Sequence, residues 1–122
     1  MRKHRWKRPP MSQRAAKQLW AACFHGEGWP TGWRVEWAGF MRNARGLCIY
    51  GRRTILLNYA DAKRRDFLPT LVHEFIHVRA KGLRHGKEFH HLVIAACERA
   101  GISLSPELAY LRNQGKGGTL IP

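Results

Sequence analysis

The first regular pattern along the chain is helical and follows a basic segment that ends in two prolines. Small and apolar residues recur at intervals of three and four positions between Ser12 and Phe24, namely at Ala15, Ala16, Leu19, Trp20 and Cys23. This spacing predicts an amphipathic helix whose first backbone amides Ser12 can cap.

A two-residue alternation replaces the helical period over residues 33–40. Trp33, Val35 and Trp37 fall on one face of this segment, which is typical of a half-buried strand. Two further β-prone segments, residues 47–50 and 54–59, flank Gly51-Arg52-Arg53. They predict two strands that are joined by a short hairpin-like turn.

The helical period returns at Asp66. We expect a largely buried helix from there to Gly82, with Pro69 in its first turn. A further helix is expected over residues 87–100 and stops at Gly101. Its inward face is predicted to consist of Phe89, Leu92, Val93, Ala96 and Cys97.

A last helix is predicted from Ser105-Pro106-Glu107 to about Asn113. The order of patterns is then one helix, three strands and three helices. This order indicates an α+β fold in which a small three-stranded sheet packs on helices.

Composition fits a single globular domain. The 122 residues are 44% hydrophobic and include five Trp and five Phe, which excludes a disordered chain. We expect a basic arm over residues 1–11, one folded domain over residues 12–113 and a flexible Gly-rich tail over residues 114–122. No apolar run is long enough to span a bilayer, and no secretory-signal pattern is present, so we expect a cytoplasmic protein with no membrane partner.

The spacing of the three cysteines shows no pairing pattern. Cys23, Cys48 and Cys97 are far apart, have apolar neighbours and never form a CxxC pair. This pattern argues against a disulfide framework and a cysteine-based zinc ribbon, and it predicts buried free thiols.

Charge adds a candidate partner. The chain has 22 Lys and Arg against 8 Asp and Glu, a formal net charge of +14. Such an excess indicates a polyanionic partner, above all nucleic acid, because neutralising phosphates releases counterions. The alternative is a small protein that is basic without a specific partner.

The strongest chemical pattern is His73-Glu74-Phe75-Ile76-His77, an HExxH motif in the most apolar predicted helix. Four residues turn a helix by about 400°, so both imidazoles lie on one side, about 6 Å apart along the axis, and can bind one Zn²⁺. Glu74 lies about 100° round the helix from His73, where it can take a proton from a water activated at the metal. The alternative is a pair of hydrogen-bonded core histidines, but burying unpaired polar groups costs a few kcal/mol.

A catalytic zinc usually has three protein ligands and one open position. Ala80 and Leu83 stand where the longer HExxHxxGxxH pattern requires Gly and His, which excludes the metzincin arrangement. Glu98 follows His73 by 25 residues, near the position of the third ligand in glutamate-ligand zincins, and His85 lies in a loop that can fold back over the metal. The downstream candidates are therefore His85, Glu88, His90, His91 and Glu98.

The HExxH motif together with Arg84-His85-Gly86-Lys87-Glu88-Phe89 resembles the SprT-like family of zinc metallopeptidases. That family combines HExxH, a variable loop and a third His in an H-G-x-x-F context that opens a helix. Upstream, Arg45-Gly46-Leu47-Cys48 and the segment 54–58 also resemble the family sequence before its active-site helix. The resemblance extends over residues 12–101.

This resemblance implies a minimal zincin-like fold with Zn²⁺ held by His73, His77 and His85, with Glu74 as the catalytic base, and it ranks Glu98 below His85. It also implies an endopeptidase that acts on proteins on or near DNA. Many members carry a C-terminal four-cysteine zinc ribbon, and this chain has no such cysteine pairs, so its own basic surface is expected to contact DNA. The candidate contacts are Arg2, Lys3, Arg5, Lys7, Arg8, Arg52, Arg53, Lys63, Arg64 and Arg65.

Three functional interpretations follow. The first is the zinc endopeptidase, and the second is a zinc-stabilised nucleic-acid-binding protein without peptidase activity. The third is a peptidase of the same chemistry that cleaves one specific repressor. Tyr59 and Arg79 lie near the motif in sequence, where either can stabilise the oxyanion, and the sequence assigns that role to neither.

Overall fold

The described part of the computed structural model, residues 13–39, 41, 44–58 and 67–117, contains four helices and one small sheet. In chain order these elements are α1 (Gln13–Cys23), β1 (Arg34–Ala38), β2 (Gly46–Ile49), β3 (Thr54–Asn58), α2 (Phe67–Arg79), α3 (Lys87–Ala100) and α4 (Pro106–Gly117). The α+β fold expected from the order of patterns is confirmed.

The sheet has the strand order β1-β3-β2. β3 pairs with β1 in parallel and with β2 in antiparallel orientation, so β2 and β3 form the predicted hairpin. Their connection is a short 3₁₀ turn over Tyr50–Arg52, followed by Arg53 in the left-handed conformation at φ 46°. The apolar run of β3 is explained by its central place, which buries four of its five residues.

The start of α1 covers the outer edge of β1. The Gln13 side-chain amide donates to the Val35 carbonyl at 2.8 Å, and the Val35 N–H donates to Gln13 Oε1 at 3.2 Å. A side chain thus supplies the hydrogen bonds that a further strand would supply, which protects this edge from pairing. Within the described residues β2 forms the opposite edge of the sheet.

An aromatic cluster fills the space between the helices and the sheet. Trp20 and Phe75 pack edge to face with ring centroids 5.1 Å apart, and Trp29 contacts both of them at 5.6 and 5.7 Å. Trp20, Phe75 and Phe89 are the largest fully buried side chains. Such aromatic pairs add about 0.5–1.5 kcal/mol each beyond their area burial. This cluster holds α2 in a fixed position.

Two details of the helices differ from the sequence prediction. Leu92 was expected on the inward face of α3 and is 38% exposed, whereas Ile94 is buried. The reason is that α3 packs against α1, α2 and α4, so its buried arc is displaced from the single stripe that periodicity predicts. In addition, α4 continues past the predicted end at Asn113 to Gly117.

The cysteines are free thiols, with Cys23 and Cys97 buried and Cys48 half-buried. Burial raises the pKa of Cys23 to about 11 and that of Cys97 to about 12. These thiols therefore stay protonated near neutral pH and act as small apolar side chains.

Among the described residues, no helix combines the length and apolar character that crossing a bilayer requires. The basic arm predicted over residues 1–11 and residues 118–122 of the predicted tail lie outside the described residues. The division of the chain into arm, domain and tail stays a prediction.

Candidate metal centre

α2 presents both histidines of the HExxH motif to one side. The His73 and His77 rings are one turn apart, with centroids separated by 5.0 Å. Pro69 lies in the first turn of the helix, where its missing N–H costs no intrahelical hydrogen bond. The helix is fixed by Leu71, Val72, Phe75 and Ile76, all of which are buried.

The loop after α2 brings a third histidine to the same place. Gly82 adopts φ +92°, a conformation that L side chains rarely take, and turns the chain back toward α2. His85 Nε2 then lies 2.8 Å from His77 Nε2, and its ring centroid is 5.0 Å from that of His73. One ring nitrogen from each of the three imidazoles lies within 4.8 Å of the other two.

Phe89 forms the floor of this histidine cluster. Its fully buried ring lies 4.8, 4.6 and 4.9 Å from the rings of His73, His77 and His85, respectively. The sequence analysis placed Phe89 on the inward face of its helix and in the H-G-x-x-F segment, and it gave the ring no role at the histidines. The short spacing between His85 and the start of α3 was the available signal, because it places the first turn of that helix next to the third histidine.

The surroundings keep two of the imidazoles neutral. Burial, with contributions from His77, His85 and His90, lowers the pKa of His73 to about 4. Burial and His85 lower the pKa of His77 as well. Neutral imidazole is the form that binds a metal, and three converging imidazole nitrogens fit Zn²⁺, whose bonds to histidine are about 2.0–2.1 Å long.

Glu74 lies beside the cluster on the buried side of α2. It is 4% exposed, and burial raises the pKa of its carboxyl to about 7. The carboxylate packs against the backbone of Gly46 on β2, where an added Cβ would lie 3.1 Å from Glu74 Oε2 and 2.9 Å from Thr70 Cγ2. Gly46 is thus a close-approach position that the sequence analysis did not identify as part of the site.

The β2–β3 turn is tied directly to the motif. The Tyr50 hydroxyl donates to the backbone carbonyl of His77 at 2.9 Å. Cys48 lies on the same strand face as Gly46. Burial, together with the negative charge of Glu74, raises the pKa of the Cys48 thiol to about 11. The hairpin and α2 therefore form one unit around the site.

The remaining ligand candidates lie apart from the histidine cluster. Glu98 pairs with Arg112 at 3.3 Å on the other side of α3, and Glu88 and His91 are exposed. His90 is half-buried and lines a cleft next to His73. Within residues 13–39, 44–58 and 67–117, no fourth His, Cys, Asp or Glu joins the three histidines.

Of the two candidates for stabilising the oxyanion, Arg79 is described by the structure and has other partners. Arg79 makes a two-pronged ion pair with Glu27, at 2.7 and 3.3 Å, and lies over the ring of Phe24 at 4.9 Å. Its guanidinium is thus engaged with the loop that follows α1. Tyr59 lies outside the described residues.

A cleft of about 930 Å³ opens beside His73 and Glu74. Gly46 and the first turn of α2 form one side of it, and the α3–α4 connection forms the other. Its apolar lining consists of Leu19, Leu68, Val93, Ile102, Leu104 and Leu108. The cleft is large enough for apolar side chains of a polypeptide and leads directly to the candidate catalytic residues.

Of the ten candidate nucleic-acid contacts, the structure describes Arg52 and Arg53, which are both exposed in the β2–β3 turn. The others, Arg2, Lys3, Arg5, Lys7, Arg8, Lys63, Arg64 and Arg65, lie outside the described residues.

In a comparison with protein families, residues 12–107 match the model of the SprT-like family. Neither curated protein sequences nor solved structures gave a match.

Proposed function

Because the chain belongs to the SprT-like family, we propose that it is a zinc-dependent endopeptidase that cleaves proteins on or near DNA. One arrangement carries the proposal. Three imidazoles converge within 4.8 Å, and Glu74, on the same helix as His73 and His77, carries a buried carboxylate.

His73, His77 and His85 would hold the zinc ion. When bound, Zn²⁺ supplies a Lewis acid that polarises the scissile carbonyl and makes water more acidic. Phe89 supports the three rings from below, which limits the orientations that each imidazole can adopt. Such support reduces the rearrangement that metal binding requires.

Glu74 moves the proton in the proposed reaction. Its carboxylate accepts a proton from the water whose oxygen attacks the carbonyl carbon, and then passes it to the amide nitrogen as the C–N bond breaks. Contact with Gly46 and burial on α2 hold the carboxylate in one place during both transfers.

The peptide substrate is proposed to pair with β2. In an antiparallel ladder, pairs that exchange hydrogen bonds alternate with pairs that do not. The Asn58 N–H donates to the Arg45 carbonyl, so the next pair along β2, at Gly46, and the one at Cys48 are not hydrogen-bonded to β3. The N–H and C=O groups of Gly46 and Cys48 therefore point away from β3. An extended peptide can add to such an edge, and it would then run past Glu74. The outer edge of β1, by contrast, is already bonded to Gln13.

The net charge of +14 supports a nucleic-acid partner and, with it, a DNA-associated protein of the cytoplasm. A peptidase that cleaves one specific repressor uses the same chemistry, and it would differ by cleaving its target equally well without DNA.

The second candidate function is a zinc-stabilised nucleic-acid-binding protein without peptidase activity. The exposed Arg52 and Arg53 near the metal centre favour it. A structural zinc site usually has four protein ligands, whereas the described residues supply three. A structural site also has no use for the buried carboxylate of Glu74, which favours the peptidase.

The test is cleavage of a linker histone and of casein by zinc-loaded protein. We expect a chelator to abolish cleavage and added Zn²⁺ to restore it, and single-stranded DNA to accelerate cleavage of the histone but not of casein. Cleavage that survives chelation would contradict the zinc mechanism. Zinc-loaded protein that cleaves neither substrate would favour the binding protein, and equal rates with and without DNA would contradict the DNA-associated role.

A further inference from the structure

Aliphatic side chains form the walls of the cleft beside His73 and Glu74. Val93 lines it with a fully buried side chain, at 1% exposed. The other aliphatic lining residues are half-buried, namely Leu19, Leu68, Ile102, Leu104 and Leu108. Contiguous apolar surface that stays accessible on a folded protein usually marks a binding site. The walls of this cleft are therefore suited to apolar groups of a ligand.

The wall formed by the α3–α4 connection is fixed at both ends. Gly101 ends α3 with φ +71°, and the N–H of Ile102 then donates to the Cys97 carbonyl at 2.9 Å. At the other end, the N–H of Leu108 donates to Ser105 Oγ at 3.3 Å, which caps α4. Since hydrogen bonds hold the connection in place, this wall exists before a substrate binds.

The charges around the cleft do not favour a charged ligand. Besides Glu74, the charged side chains among its described lining residues are Arg45 and Glu107, and both are exposed. Their signs are opposite, so they select neither a cationic nor an anionic group. A charged side chain would also lose hydration against the aliphatic walls, which costs free energy.

The β2 edge directs side chains of the substrate toward this cleft. In the proposed complex an extended peptide adds to β2, and its side chains alternate between the two faces of the sheet. One of these faces is the side on which Gly46 approaches Glu74 and lines the cleft. Every second side chain of the peptide therefore points to the side of the sheet on which the cleft opens.

We propose that a large apolar side chain next to the scissile bond binds in this cleft and determines which peptide bonds are cleaved. Leu104 is the specificity-determining residue, because it lies on the α3–α4 connection, is half-buried and packs on the core beside the cleft. The inference rests on the proposed function and adds a class of substrate to it. Large apolar side chains are mostly buried in folded proteins, so the substrates are segments that are unfolded or loosened.

Mapping the cuts in casein tests the preference. Zinc-loaded wild-type protein is incubated with casein, and mass spectrometry identifies the new chain ends. We expect Leu, Ile, Met or Phe at the same position directly beside most cleaved bonds. Cuts without such an enrichment, or with Lys or Arg enriched at that position, would overturn the inference.

Two quenched peptides measure the size of the preference. Both copy the casein site that is cut fastest, and they differ only in the apolar residue, which is Leu in one peptide and Lys in the other. We expect kcat/KM to be at least about tenfold higher for the Leu peptide, because apolar pockets discriminate between side chains by about 10- to 200-fold. Equal values for the two peptides would contradict the preference.

Variants of the wall test where the side chain binds. Leu104→Glu and Ser103→Glu each add a carboxylate to the cleft, and Ser103→Glu does so at an exposed position, so it tests the wall even where Leu104→Glu fails to fold. The matched control is Leu92→Glu, because Leu92 is 38% exposed on α3 and does not line this cleft.

Both wall variants should lower the ratio of kcat/KM between the Leu and Lys peptides at least about fivefold, because the carboxylate attracts the ammonium group and is desolvated by the apolar side chain. The control should keep the ratio within about twofold of the wild type. A ratio that is unchanged in folded wall variants, or that falls equally in the control, would overturn the inference.

A binding measurement separates this inference from the proposed function. Isotope-labelled, zinc-loaded Glu74→Gln is titrated in an NMR experiment with the peptide Ser-Gly-Leu-Leu-Gly-Ser and with its Lys-Lys counterpart. The Leu-Leu peptide should shift the amide signals of Ile102 and Leu104 at a concentration about tenfold lower than the Lys-Lys peptide. Equal effects of the two peptides, or shifts confined to other parts of the chain, would overturn the inference. Binding of the Leu-Leu peptide here, together with wild-type protein that cleaves no casein, would contradict the peptidase and support the cleft as an apolar binding site.

Discussion

Gly46 shows how one absent side chain shapes the candidate site. Its Cα faces both Glu74 and Thr70 so closely that a Cβ would lie 3.1 Å from the carboxylate and 2.9 Å from the threonine methyl group. Real Cβ atoms seldom come that close, so any side chain here must displace a neighbour. The role of this glycine is therefore to leave room for the side chains of Glu74 and Thr70.

Gly46→Ala is expected to lower kcat/KM by about 10- to 100-fold with the zinc content unchanged, because a shift of about 1 Å in a catalytic group has an effect of this size. Gly46→Ala should also lower thermal stability, because the new Cβ meets the Thr70 methyl group. The control is the double variant Gly46→Ala with Thr70→Ser, which lacks that methyl group and should regain the lost stability. Activity should stay low in the double variant, because the contact with Glu74 remains. Full recovery of activity would show that the glycine serves packing alone.

The HExxH motif made the convergence of His73 and His77 predictable from local spacing, because a helix fixes which residues share a side. The environment of Glu74 was not predictable in this way. Gly46 lies far from it in sequence, and only the packing of β2 on α2 brings the two together.

At the scale of elements, α3 contributes to the metal centre through Phe89 rather than through a ligand of its own. The fully buried ring touches all three imidazoles, and the α2–α3 loop places His85 above it. The position of α3 thus determines how firmly the third histidine is held.

Phe89→Leu is expected to lower both stability and zinc affinity, because the smaller, non-planar side chain no longer supports the rings. Phe75→Leu is a matched control, since Phe75 is also 0% exposed but packs against Trp20 and Trp29 instead. Both variants should lose about 1–3 kcal/mol of unfolding free energy. In competition with a zinc-binding dye, Phe89→Leu alone should bind Zn²⁺ more weakly, and equal zinc affinities would contradict the supporting role.

The elements themselves were largely predictable. α2 and α3 follow their apolar periods, and Gly82 and Gly101 mark where the chain leaves them with positive φ. Leu92 was misplaced because burial depends on how many helices pack on α3, which no local pattern records. The parallel pairing of β1 with β3 likewise arises from long-range packing.

At the scale of the whole molecule, buried thiols make stability depend on alkaline pH. Cys23 and Cys97 have pKa values of about 11 and 12 in the fold, above the ordinary thiol value of about 8.5. Above about pH 9 the unfolded chain releases these protons while the folded chain keeps them. The unfolded state then binds fewer protons, so stability falls as the pH rises toward 11.

Thermal unfolding between about pH 8 and 11 measures this effect. The melting temperature of the wild type should fall more steeply with pH than that of the double variant Cys23→Ala with Cys97→Ala. Lysines and tyrosines titrate in both proteins, so the difference between the two slopes reports the thiols alone. Parallel curves would show that the thiols do not contribute.

The molecule also separates two chemical surfaces around one centre. The apolar cleft lies beside His73 and Glu74, and the exposed cations Arg52, Arg53, Lys81 and Arg84 lie in the β2–β3 turn and the α2–α3 loop. The net charge of +14 predicted a polyanionic partner, but charge counts alone could not locate the surface for it. Tyr50 links the two basic segments, because its hydroxyl donates to the His77 carbonyl and its ring centroid lies 5.2 Å from Lys81 Nζ.

The central claim is that Glu74 acts on a proton beside a zinc ion held by three histidines. The most direct test is Glu74→Gln, with Glu88→Gln as the matched control, because Glu88 carries an exposed carboxylate near the site but outside the histidine cluster. Zinc content by mass spectrometry and the rate of casein cleavage are measured on the same samples. We expect about one zinc per chain in all three proteins, full activity in Glu88→Gln and a loss of about 10²- to 10⁴-fold in Glu74→Gln. Zinc-loaded Glu74→Gln that cleaves casein as fast as the wild type would contradict the account.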